Sequence, residues 1–268
     1  MPESPIPGRG SAFALPLRER VVIWLCVVGV TALAWTYLVR LGQGMAPAVP
    51  AGAMTADMGM AMDAPWALRE VAFLFWMWAV MMVGMMAPSA TPVLLLFAGL
   101  QARGAEGRAP FAVSLFALGY AIVWIGFCAC AALAQWALHD TAVMSAPMTA
   151  ASGRVGGAIL CAAGAYQLLP FKGVCLARCR SPVSFLVMHW RDGALGALTM
   201  GARHGVWCLG CCWALMAVLF AVGVMNLVWV AALALFVLVE KTGPAGVAIG
   251  RAGGVMLIAA GVLMLVAR

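Results

Sequence analysis

Within nine residues of one long apolar run, His204, Cys208, Cys211 and Cys212 supply an imidazole and three thiols. On a helix, positions i, i+4 and i+7 or i+8 share a face, so His204, Cys208 and Cys211 or Cys212 can point the same way. That donor set suits a soft or borderline cation, Cu(I) first and Zn(II) as the other choice. A free cysteine also packs as a small hydrophobe, but an ionisable imidazole inside an apolar run points to function. Cys211 and Cys212 lie about 100° apart around a helix, which makes Cys208 and Cys211 the principal pair. Cys208-x-x-Cys211 is equally the spacing of a redox dithiol, so a membrane thiol–disulfide oxidoreductase is a second reading. A structural subunit of a larger membrane complex is a third.

Two further groups could serve the same metal. Met77, Met81 and Met85 repeat at i+4, and Met82 and Met86 form a neighbouring column. Thioethers bind soft cations without losing a proton, although methionine also fills helix interfaces. Pro88 and Pro92 are expected to kink or interrupt this helix. Farther on, Cys175-x-x-x-Cys179 and His189 sit in a basic stretch and could form a receiving site. A linker at 42–65 adds Met54, Met58, Met60 and Met62 and holds no Lys or Arg.

The chain that must position these residues is 268 residues long, 65% hydrophobic and only 9% charged. So few charges exclude a soluble domain of this length. Apolar runs of roughly 17–25 residues match spanning helices, not the roughly 10-residue alternation of a barrel. The fold expected is an all-α, polytopic transmembrane helix bundle with about seven spans. They fall near 21–41, 71–100, 111–138, 155–171, 194–224, 227–239 and 247–266, after a mobile tail at 1–20. Residues 21–268 form one domain, with 42–65 as a Met-rich outer loop and 172–193 as a basic cytoplasmic loop carrying a short interfacial helix.

Assigning the connections alternately puts eleven Lys and Arg on one side, Lys172 and Lys241 among them, and four on the other. The positive-inside rule then sets the N-terminus in the cytoplasm of a multi-pass inner (cytoplasmic) membrane protein. The net charge of +7 is loop charge of this kind and requires no nucleic-acid partner. Gly153, Gly156, Gly157 and Gly164, and Gly246, Gly250 and Gly254, are small-residue faces for helix contacts.

WAVMMVGMMAPSATP at 78–92, YQLLPFKGVCLARCRSP at 166–182 and HGVWCLGCCWALM at 204–216 together resemble the DUF2182 family of predicted metal-binding integral membrane proteins. NLVWV at 226–230 and Glu240-Lys241 extend the resemblance, which runs from about Trp76 to Gly254. The resemblance implies metal binding without a settled activity. The residues supply the rest: a protein that handles or transports Cu(I), more a carrier than an enzyme. A Met54–Met62, Met77–Met86, Cys208–Cys212, Cys175–Cys179 sequence would raise affinity inward, because thiolates hold Cu(I) more tightly than thioethers. The implied partners are the lipid bilayer, the metal ion, a metallochaperone and a second copy of the chain.

Overall fold

The computed structural model describes residues 16–45, 68–102, 109–140 and 153–267. All regular structure among them is helical: α1 (Leu17–Met45), α2 (Leu68–Gln101), α3 (Ala109–Asp140), α4 (Gly153–Leu168), α5 (Pro170–Arg180), α6 (Pro182–His189), α7 (Gly193–Val222), α8 (Leu227–Thr242) and α9 (Gly246–Val266). The all-α expectation holds, and each apolar run has become a helix. The Met54–Met62 linker lies outside the described residues.

Among the described residues five helices, α1, α2, α3, α7 and α9, are long and apolar enough to cross a membrane. A sixth crossing results if α4 and α5, bent by 65°, count together. At 16 residues, α8 reaches about 24 Å, short of the roughly 30 Å hydrocarbon layer. Length therefore supports five or six spans, with α8 below the threshold.

The α4–α5 bend has a local cause. Pro170 has no amide hydrogen to continue α4 and pushes Leu169 into an extended conformation, φ −67° and ψ 141°. The stretch read as a basic loop is thus largely helical, and it carries Cys175 and Cys179 on α5. The short helix expected after Ser181-Pro182 is α6, although the Ser181 side chain makes no capping bond. Phe185 and Leu186 of α6 turn inward onto Phe97, Phe116 and Met200, while Val187 and Met188 stay exposed. Such an outward apolar face suits a membrane interface.

Pro88 and Pro92, expected to kink or interrupt α2, lie inside one continuous helix. Pro88 leaves the Gly84 carbonyl without its i+4 donor, and Trp35 of α1 donates its indole N–H to that oxygen at 3.3 Å. The neighbouring helix therefore supplies the bond that the proline removes.

α7 is the axis of the bundle, packed by α3, α4, α5 and α8. Glycine lets α3 approach it: a side chain at Gly119 would strike the Leu198 backbone, and one at Gly201 the Phe116 carbonyl. The α4 and α9 glycines pair as expected, Gly157 against Gly261 and Gly164 against Gly254. Gly246 and Gly250 do something else. They make room for the side chains of Arg180 and Glu240. At the far end Gly223, with φ +101°, closes α7 in the left-handed region that favours glycine. Asn226 then starts α8 by accepting from the amides of Val228 and Trp229.

Candidate metal centre

Cys208, Cys211 and Cys212 are all buried at the middle of α7. Cys211 and Cys212 each turn a thiol back to the Cys208 carbonyl at 3.0 Å, so both flank Cys208 instead of only one. α5 brings a fourth thiol. Cys179 stands 3.9 Å from Cys211, sulfur to sulfur. Cys175, one turn earlier, is buried against Gly210, where any side chain would crowd its sulfur. Four cysteine side chains from two helices therefore meet at one place.

The helices are pinned around this place by polar contacts. Tyr166 of α4 donates its hydroxyl to the Gly210 carbonyl. Arg178 of α5 lies 4.6 Å over the Trp207 ring of α7, a cation–π contact. Lys172 of α5 forms a buried ion pair with Glu240 of α8, and Arg180 donates to the carbonyl oxygens of Glu240 and Pro244. Together these hold Cys179 over Cys211.

Two groups that the sequence did not place at the site touch the thiols directly. Lys241 of α8 is buried, with its amine 2.9 Å from the Cys208 sulfur and 3.9 Å from that of Cys212. The same amine stands 3.7 Å from the Met86 sulfur and 3.5 Å from the Ser89 hydroxyl. Tyr120 of α3 brings its hydroxyl to 3.0 Å from the Cys208 sulfur. Lys172 and Lys241 are consequently not loop charges, and their place in the positive-inside count is corrected. Without them the same alternate assignment over seven spans leaves nine basic residues against four. The available signal was the Glu240-Lys241 pair itself, since ionisable residues at the end of an apolar run need partners inside.

The other expected ligands are distributed differently. Met77, Met81, Met82, Met85 and Met86 are all buried, and the Met86 sulfur lies 3.7 Å from the Lys241 amine. Met82 and Met86 also line an apolar cleft of about 730 Å³ between α1, α2 and α3, which reaches Tyr120. His204 is buried among Phe116, Tyr120 and Phe185, with ring centres 5.1–6.2 Å away, and its Nδ1 has no hydrogen-bond partner among the described residues. His189 stacks on Phe185, and its Nδ1 meets the Phe185 carbonyl at 3.0 Å. No group of three or more His, Cys, Asp or Glu among the described residues stands ready to hold a metal ion. Cys175 and Cys179 stand on α5 and His189 on α6, and the Cys179 sulfur lies against that of Cys211 on α7.

Fold and site define an all-α bundle with membrane-length helices and a buried thiol centre bordered by a lysine, a tyrosine and a methionine. A family model described as PpoB2, copper chaperone, matches residues 75–264. The chain belongs to that family, and the matched stretch contains every residue of the thiol centre. No curated protein and no solved structure matches the chain.

Proposed function

We propose that this protein holds Cu(I) on its buried thiols within the cytoplasmic membrane and hands it to a partner, the ion being cargo and not a fixed cofactor. The observation that carries the reading is the meeting of Cys179 of α5 with Cys208, Cys211 and Cys212 of α7, the Cys179 and Cys211 sulfurs 3.9 Å apart. Bonds of about 2.3 Å to one metal would hold two sulfurs about 3.8 Å apart at a tetrahedral angle, and farther apart as the angle opens. A pair of thiolates suits Cu(I), whereas structural Zn(II) sites use four ligands. Membership of a copper-chaperone family points the same way.

Copper reaches the thiols along Met77, Met81, Met82, Met85 and Met86, with Met86 next to the site, and Met54–Met62 gathers it first. It leaves at Cys179 and Cys175, on the helix nearest the basic cytoplasmic side, where a soluble metallochaperone can dock. The N-terminus is cytoplasmic in this scheme, in keeping with nine basic residues against four. Elemental analysis of protein purified in mild detergent without chelator tests the reading. Copper bound at close to one ion per chain, with thiols reduced, supports it. A metal-free protein whose Cys208–Cys211 pair cycles between thiol and disulfide forms would favour the oxidoreductase reading instead.

A further inference from the structure

We propose that Lys241 makes the thiol centre selective for a monovalent cation, by supplying the one positive charge that a dithiolate complex of such an ion needs. The inference rests on the copper reading above and names what chooses the metal. Lys241 is buried, and its amine contacts the Cys208 sulfur at 2.9 Å and lies within 3.9 Å of the Cys212 and Met86 sulfurs. Glu240, the adjacent residue in sequence, does not neutralise it. Successive residues point about 100° apart on a helix, and the Glu240 carboxylate faces α5, paired with Lys172. Among the described residues the ion pairs are Lys172–Glu240 and the exposed Arg69–Glu70, and neither includes Lys241. The Ser89 hydroxyl, 3.5 Å from its amine, is neutral.

Charge in so enclosed a place is costly unless balanced. A monovalent ion held by two thiolates carries one net negative charge, and the Lys241 ammonium brings the assembly to neutral. A divalent ion on the same two thiolates is already neutral, so the ammonium would leave one positive charge uncompensated. The divalent ion would have to recruit a third thiolate to restore neutrality beside the ammonium. Met86 beside the amine adds a neutral thioether, which leaves the charge balance unchanged and favours a soft ion.

The test compares Ag(I), a redox-inert monovalent probe, with Zn(II) in competition titrations on the full chain in mild detergent. The proteins compared are the parent, Lys241→Leu and Lys241→Arg. Lys241→Leu, which is uncharged and brings no metal ligand, should lower the Ag(I)-to-Zn(II) affinity ratio by more than about tenfold. It should do so by weakening Ag(I) while leaving Zn(II) unchanged or tighter. Lys241→Arg should keep most of the parent ratio. General damage to the fold would weaken both metals together. A ratio unchanged within about twofold in Lys241→Leu, or a similar loss in Lys241→Arg, overturns the inference while the copper reading stands. A parent protein that binds Ag(I) nowhere on its cysteines overturns both. If Lys241→Leu does not fold, Lys241→Gln makes the same comparison, because it keeps a donor without the charge.

Discussion

Removing one side of the Lys172–Glu240 pair should test how α5 is held over the thiols. Both side chains are 2% exposed, so neither charge has water to fall back on. Opposite charges about 4 Å apart interact by about 4 kcal/mol at an effective dielectric near 20. Breaking one side of a buried pair typically costs about 3–5 kcal/mol, because the remaining charge is stranded. Lys172→Met is therefore expected to destabilise the protein by about 3–5 kcal/mol, and Glu240→Leu by a similar amount. The double variant should lose much less than the sum, since no lone charge remains. Unfolding in mixed micelles with rising denaturing detergent, followed by circular dichroism, measures the cycle. Alkylation of Cys179 supplies a local readout, because that half-buried thiol should react faster once α5 loosens. Single variants that each cost under about 1 kcal/mol, with strict additivity in the double, would refute the idea that this pair fastens α5 to α8.

Met86→Leu, which conserves volume and apolarity, should weaken Cu(I) binding several-fold with little loss of stability. Met81→Leu with Met85→Leu should slow loading more than it lowers equilibrium affinity, and unchanged uptake kinetics would remove the methionine path. Trp35→Phe should cost about 1 kcal/mol by stripping the Gly84 carbonyl of its donor. Most of that cost should vanish in a Pro88→Ala background, where the helix amide returns, and an equal cost in both backgrounds would show that the indole bond does not compensate the proline. An engineered thiol between Met54 and Met62 should be labelled by a membrane-impermeant reagent from outside intact cells. Labelling only after permeabilisation would reverse the orientation and the proposed inward route.

Local residues carried most of the helical architecture, because burying backbone in an apolar medium depends on the composition of each run. Both the cysteine spacing on α7 and the glycine faces of α4 and α9 were visible on those grounds. What stayed hidden depends on distant partners. Tyr120 meets Cys208 across 88 residues, Lys172 meets Glu240 across 68, and Lys241 meets Met86 across 155. Counting Lys241 as a loop charge followed from ending its span at Val239, when pairing inside the bundle lets α8 continue to Thr242. The uninterrupted course of α2 was equally illegible, since the donor that replaces the proline's missing amide comes from α1. The cysteine at 179 looked like part of a separate cytoplasmic site because the bend at Leu169, which folds α5 back onto α7, belongs to tertiary structure.

X-ray absorption of the Cu(I)-loaded protein in mild detergent, beside its Cys208→Ser/Cys211→Ser variant, bears most directly on the thiol centre. Serine nearly keeps the size of cysteine, but its neutral hydroxyl is a poor ligand for Cu(I). The parent should show copper surrounded by sulfur in two- or three-fold coordination, and the variant should lose both the sulfur shell and most of its copper. Copper bound only through nitrogen or oxygen in the parent, or an unchanged sulfur shell and copper content in the variant, would contradict a Cu(I) site built on Cys208 and Cys211.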